Sequence, residues 1–304
     1  MTEQKRVIAL GFFDGVHLAH AALLEQVRLR AQELGASPCA FTFDIHPSLR
    51  LTGVQEPLLS SVEDRKWLMS SLYGMEEVIV ASFDRMMTMP WESFVDSYLA
   101  GEQHAVHVVC GYDFRFGSRG AGDARRLRQR CAQRGIGCDI VGEMKLDGIR
   151  VSSTHIRSLI QAGDMDAARR FLGHPHILSD RVHPGKHLGH TLGFPTVNLR
   201  FQTGVLVPRY GVYAARVALE DGSVYNAVAN VGVRPTVEEA GAPNVEAFLL
   251  DYQGDLYGQQ VRLAFCHFLR EERRFPSVEA LTQEVLRNAQ QARDYFAQEG
   301  TAWN

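Results

Sequence analysis

The sequence predicts a chain of class α/β plus β. A doubly wound parallel sheet is expected over residues 1–178, and an antiparallel β-barrel with a C-terminal helix over residues 179–304. Three observations predict it. Short apolar runs alternate with helix-length intervals along the first half, and strand-like runs punctuated by turn residues fill the second half. A long apolar stripe at helical spacing then closes the chain.

The first-half runs fall at residues 7–10, 39–43, 78–81, 106–110 and 138–141. Between the first two, Leu23, Val27, Ala31 and Leu34 keep the three-or-four spacing of a helix over 18–34, and Gly35 supplies its stop. Strand, helix, strand at this rhythm means parallel pairing. Ligands of such sheets bind beyond the carboxyl ends of the strands, where residues 11–20 and 111–117 both fall and can face one crevice. Past Leu178, turn signals at Pro184, Gly211, Asp221, Gly232, Pro235, Gly254 and Gly258 bracket strand-like runs at 211–219, 223–231, 245–252 and 261–268. Val278, Leu281, Val285, Ala289, Ala292 and Phe296 form the last helical stripe, with Ser277 as its cap and Glu279 in its first turn.

Composition narrows the function. The 304 residues are 45% hydrophobic, enough to bury two cores, and the formal charge of −3 provides no field for nucleic acid or an anionic membrane. Neither a signal-peptide core nor an 18-residue apolar run is found, so a cytoplasmic protein without a membrane role is expected. Five cysteines, an odd number with no C-x-x-C pair, read as reduced structural thiols. The five arginines between residues 125 and 134 scatter around a helix without aromatic partners and read as a solvated face. Oligomeric state is left open, a homo-oligomer among the alternatives.

Four segments carry chemistry. GFFDGVHLAH at 11–20 opens a helix after a strand, and Gly11 and Gly15 allow close backbone approach to phosphate while Asp14 shapes the turn. His17 and His20, at i and i+3, can both address one anion; a helix cap or half of a metal site are the alternatives. GYDFRFG at 111–117 brings Asp113 and Phe114 to a strand end, where a packed turn is the bland reading. RVSSTHIR at 150–157 sets Ser153, Thr154 and Arg157 at a helix start, suited to phosphate or merely to capping. GKHLG at 185–189, followed by GFPTVN at 193–198, forms a basic loop. There Gly185 and Lys186 can grip phosphate, and Thr196 and Asn198 can offer oxygens to Mg²⁺; a polar hairpin is the alternative.

The first three segments resemble the flavin adenylyltransferase module of the H-x-G-H nucleotidyltransferases, with Ala19 in the glycine position and His155 where many relatives have arginine. The fourth is similar to the riboflavin kinase family, whose P-T-A-N motif stands here as PTVN at 195–198. Further kinase-like blocks follow at 230–236, 245–251, 254–258 and 268–275, and Asp180 and His190 replace a usual glycine and arginine. Nearly end to end, the chain resembles the bifunctional bacterial riboflavin kinase/FAD synthetase family. That resemblance implies a kinase making FMN from riboflavin and ATP with Mg²⁺, and an adenylyltransferase converting FMN to FAD with release of pyrophosphate. It implies Glu246 as base toward the ribityl hydroxyl, with Thr196 and Asn198 at Mg²⁺ and phosphate. For adenylyl transfer it implies His17, His20 and Arg157 as catalytic residues, with Ser153 and Thr154 at the leaving triphosphate. Gly11, Phe13, Asp14, Gly15, Asp113, Phe114, Gly185, Lys186, Gly193, Pro195 and Arg270 are the remaining expected ligand-binding positions. Two other readings stay open: a monofunctional enzyme with one half silenced, and a flavin- or nucleotide-binding regulator without catalysis.

Overall fold

A computed structural model describes residues 4–184, 196–233 and 241–299. The chain divides into two compact units, Met1–Ser153 and Thr154–Asn304.

In the first unit, β1 (Arg6–Leu10), β2 (Ser37–Phe43), β3 (Glu77–Ala81), β4 (Ala105–Gly111) and β7 (Gly137–Val141) form a parallel sheet in the order β3-β2-β1-β4-β7. Two small hairpins, β5 (Arg115–Phe116) with β6 (Gly122–Asp123) and β8 (Lys145–Leu146) with β9 (Ile149–Arg150), follow β4 and β7. The order reverses between β1 and β4, so the loops leaving their carboxyl ends open a crevice at the switch point. β1 is the central strand, and Val7, Ile8, Ala9 and Leu10 are all buried, as a strand covered on both faces requires. The expected helix spans Leu18–Leu34 and ends at Gly35, whose left-handed φ of 57° returns its N–H to Ala31 O. The helix Ala124–Gln133 buries Leu127 and Cys131, while Arg130 and Arg134 both pair with Asp96. Its arginine-rich character is thus partly an intramolecular clamp.

The second unit is a curled antiparallel sheet in the order β10-β15-β12-β13-β14-β11, built from β10 (His176–Arg181), β11 (Thr196–Arg200), β12 (Gly211–Ala218), β13 (Val224–Val233), β14 (Pro243–Leu249) and β15 (Gln260–Arg270). His183, just past β10, bridges Asn198 of β11, so the two edge strands meet and the sheet closes on itself. Four of these strands match the expected runs, whereas β10 and β11 do not correspond to any anticipated strand. The helix Val278–Glu299 buries Ala289, Ala292 and Phe296 as its stripe requires, and Ser277 Oγ accepts from Ala280 N at 3.2 Å.

The division at Ser153 differs from the expected one at residue 178. The helix Met165–Leu172 packs on β10 and β15, so its apolar face belongs to the barrel's core.

Candidate functional site

In the first unit a cavity of about 400 Å³ opens beyond β1 and β4, walled by Gly11, His17, Ala19, His20, Asp113, Phe114, Arg150 and Ser153 among others. The two segments expected to face one crevice do so. Its floor is a tightly ordered loop. Phe13, Gly15 and Val16 all take positive φ (60°, 72° and 43°), a strained run for Phe and Val that buried contacts hold in place. Asp14 is only 2% exposed, and its Oδ1 accepts from Leu59 N (2.8 Å) and Ser60 N (3.2 Å). Gly15 N donates to Ser60 Oγ at 3.0 Å, and Ser153 Oγ donates to Asp14 O at 3.2 Å. Asp14 therefore organises the turn, and the fully buried Phe13 ring packs beneath it.

His17 caps the helix Leu18–Leu34, its Nδ1 accepting from His20 N at 3.4 Å. In the neutral ring this leaves the proton on Nε2. The two imidazoles stack, with centroids 3.6 Å apart and planes 10° from parallel. Burial, then the neighbouring His17 and Arg65, hold His20 well below the usual histidine range, so it is neutral. Among the described residues its buried Nδ1 has no hydrogen-bond partner. A stacked histidine pair at a helix N-terminus, with His20 Nδ1 unpartnered among the described residues, is suited to an anion.

Sequence reasoning missed Arg65. Its fully buried guanidinium donates to Phe12 O (2.8 Å), Thr42 Oγ1 (2.9 Å) and Phe43 O (3.2 Å), and stacks on the Phe12 ring at 4.3 Å. Burial pulls it down to about 10, against the opposing carboxylates of Asp14 and Asp44, so the cation survives beneath the loop. It lies on the helix Val62–Tyr73, where a solvent-facing arginine would look no different in sequence.

Asp113 pairs with Arg150 at 2.8 Å, joining two of the expected segments across the cavity mouth. Thr154 and Arg157 lie on the helix Ser153–Ala162, past the end of the first unit.

In the second unit a cavity of about 340 Å³ is walled by Val182, Thr196, Asn198, Tyr252, Gly254, Asp255 and Tyr257 among others. It brings the TVN stretch together with the GDLYG block. Thr196 and Asn198 lie two residues apart on β11 and share a face. Glu246 of β14 sits directly between Asn198 of β11 and Asn230 of β13 in register, is exposed, and lies beside the cavity rather than on its wall. Asn230 Nδ2 donates to Glu272 Oε1 at 3.1 Å. Arg270, at the end of β15, meets Glu284 at 3.1 Å and Asn288 Oδ1 at 3.1 Å, and burial lowers its pKa. Asp180 accepts from Arg200 N (2.7 Å) and meets His183 Nε2 (3.0 Å), so this departure from glycine is absorbed as a link between barrel edges. Gly185, Lys186, His190, Gly193 and Pro195 lie outside the described residues. Among the described residues, no cluster of His, Cys, Asp and Glu could hold a metal ion, and no helix is long and apolar enough to cross a membrane.

A switch-point cavity on a parallel sheet, and a second cavity on a separate antiparallel barrel, are the layout of a two-site transferase of phosphorus-containing groups. Family models agree with both halves: one for FAD synthetase matches residues 1–155, and one for riboflavin kinase matches residues 172–296. The bifunctional riboflavin kinase/FMN adenylyltransferase of Listeria monocytogenes is 33% identical over 97% of this chain and 94% of its own, and that of Pseudomonas fluorescens 36% identical over 94% and 92%. A solved structure described as a macrolide-efflux protein from Streptococcus pneumoniae superposes with a TM-score of 0.82 at 26% identity, covering 96% of this chain and 95% of that one. The chain belongs to the bifunctional riboflavin kinase/FMN adenylyltransferase family.

Proposed function

We propose that this chain phosphorylates riboflavin to FMN in its second unit and adenylylates FMN to FAD in its first, each with ATP. The observation that carries the reading is that each unit builds its own cavity with motif residues on its wall. We assign the adenylyltransferase half to residues 1–178 and the kinase half to residues 179–304, in a cytoplasmic enzyme.

In adenylyl transfer the FMN phosphate attacks the α-phosphorus of ATP and pyrophosphate leaves, with no covalent enzyme intermediate required. His17 and His20 meet the triphosphate at the helix N-terminus and stabilise charge as the α–β bridge breaks. Anion binding supplies His20 Nδ1 with the partner it lacks. Asp14, Ser60 and Arg65 hold the loop in its strained form beforehand, so the geometry of attack is prepaid.

In phosphoryl transfer, Glu246 accepts the proton of the attacking ribityl hydroxyl. Its exposed position beside Asn198 sets the carboxylate next to the cavity. Thr196 and Asn198 offer neutral oxygens, which suit a Mg²⁺ ion whose charge is balanced by ATP phosphates. Such an ion, held by Thr196 and Asn198, would supply charge neutralisation for the transferring phosphoryl group.

Incubation with riboflavin, ATP and Mg²⁺, followed by chromatography, yields FMN and then FAD. Glu246→Ala lowers FMN formation by about 10²- to 10⁴-fold yet spares adenylylation of supplied FMN, and His17→Ala does the reverse. Loss of both reactions in either folded variant refutes the two-site assignment.

A further inference from the structure

The outer face of the barrel carries a second carboxylate close to Glu246. Along β14, Val245, Ala247 and Leu249 are buried and Glu246 is exposed, so Glu246 stands on the sheet's outer face. Asn230 of β13 lies directly opposite it, and residues opposite one another on adjacent strands share a face with Cβ atoms about 5 Å apart. On its other side Asn230 faces Val212 of β12, so of its two neighbours in register Glu246 is the polar one.

Glu272 reaches the same face from the segment between β15 and the last helix. Its Oε1 accepts from Asn230 Nδ2 at 3.1 Å. Gly232, two residues along β13 from Asn230 and on the same face, makes room for it. A Cβ there would stand 2.0 Å from Glu272 Oε1 and 2.7 Å from Cδ, so the carboxylate lies against the glycine's Cα. The φ of Gly232 is not in the left-handed region, so this close approach, not the backbone, is what requires glycine. The segment is also braced on its other side, where Arg270 and Arg273 both pair with the buried Glu284 of the helix Val278–Glu299.

An asparagine amide can flip end for end and present either its oxygen or its nitrogen to a neighbour. A carboxylate oxygen accepts, so Glu272 selects the orientation with the nitrogen toward itself and leaves Asn230 a fixed second N–H and a fixed Oδ1. A base must stand within hydrogen-bond reach of the hydroxyl it deprotonates, and a long glutamate side chain at a sheet surface has many rotamers that miss it. A polar neighbour of constant orientation restricts that choice.

We propose that Asn230 and Glu272 are positioning residues for phosphoryl transfer: Glu272 locks the Asn230 amide, and the amide orients Glu246 toward the attacking hydroxyl. The inference rests on the reading of Glu246 as the kinase base. In the step itself the ribityl oxygen bonds the γ-phosphorus as the bond to ADP breaks, and Glu246 takes the hydroxyl proton. Asn230 and Glu272 exchange none.

Steady-state riboflavin phosphorylation by the full chain tests this. Glu272→Ala and Asn230→Ala should each lower kcat about 10-fold, a fraction of the about 10²- to 10⁴-fold a general base supplies, with KM values within about 2-fold. The double variant should be no slower than either single one. Gly232→Ala keeps all three polar side chains but pushes the carboxylate off its seat, and should match Glu272→Ala. Glu272→Gln keeps an acceptor oxygen at the same length and should recover most of the loss. Added to Glu246→Ala, the Glu272→Ala change should cost nothing further, whereas a general distortion of the site would slow that variant again. An unchanged kcat in Glu272→Ala, a rise in KM alone, or additive losses in the double variant would each overturn the proposal. If Glu246→Ala keeps full FMN formation, the base assignment fails and the positioning role with it. If Glu246→Ala loses FMN formation while Glu272→Ala and Asn230→Ala do not, the positioning role alone fails.

Discussion

Replacing Arg65 with methionine tests whether the buried cation under the phosphate loop sets both its stability and its electrostatics. The side chain makes three hydrogen bonds at 2.8, 2.9 and 3.2 Å. Phe12 O keeps a second donor, the Thr42 hydroxyl at 2.7 Å, so the uncompensated losses fall at Phe43 O and Thr42 Oγ1. Two buried acceptors stripped of a charged donor cost about 2–6 kcal/mol. Methionine fills much of the volume, and removing a guanidinium that burial has lowered from 12.5 to about 10 returns about 3 kcal/mol. The expected net change in the first unit therefore lies between about 1 kcal/mol of stabilisation and about 3 kcal/mol of destabilisation, read from the denaturation midpoint. Stability alone would not separate a packing role from an electrostatic one. Arg65 is among the groups holding His20 below its ordinary range, so Arg65→Met should also raise the His20 pKa, followed by NMR of its ring carbons. FMN adenylylation should fall while riboflavin phosphorylation stays unchanged. Arg65→Lys keeps the charge but cannot bridge Phe12 O and Phe43 O together, and should restore the His20 pKa without the stability. Stability within about 0.5 kcal/mol of the parent together with an unshifted His20 would refute the reasoning.

Two further outcomes concern the second unit. Burial, with His174 nearby, lowers His176 from 6.5 to about 3, and its Nε2 has no partner. The unfolded chain therefore binds more protons between those values: stability is complete above about pH 6.5 and is lost as pH falls toward 3, by about 1.4 kcal/mol per pH unit at the steepest. His176→Leu should flatten that dependence in denaturant titrations. Asp180→Ala removes the acceptor of Arg200 N and the partner of His183, and should cost about 1–3 kcal/mol in barrel stability, seen as an earlier unfolding transition.

The parallel sheet was legible because its three inner strands are buried on both faces and read as continuous apolar runs; all five strands fall within two residues of their expected ends. β10 and β11 were not legible. Their polar positions, such as Asp180 and Asn198, make bonds that close the barrel edges, and that use of a polar residue has no period in sequence. At the sites, motif spacing identified His17, His20 and Ser153 around one cavity, and Thr196 and Asn198 around the other. Asp14 was legible as a turn former, but its hold on Leu59 N and Ser60 N spans 45 residues and emerges only from the fold. Arg65 belongs to the same class of long-range support.

The two halves solve the same electrostatic problem by opposite means. The adenylyltransferase cavity keeps His20 neutral by burying it near a cation, whose hydrogen bonds go to carbonyl and hydroxyl oxygens while the Asp14 and Asp44 carboxylates offset part of its charge. A polyphosphate entering that crevice raises the pKa of His20 as it arrives, so proton uptake accompanies binding. The kinase half instead places a carboxylate between two asparagines at the sheet surface, in register with both. Nucleotide binding to the first unit should therefore strengthen as pH falls below the histidine range, while riboflavin phosphorylation should not share that rise. Calorimetry of ATP binding in two buffers of different ionisation enthalpy counts the protons taken up. A count of zero with the intact chain, unchanged in His20→Asn, would show that the histidine pair is packing rather than an anion receptor.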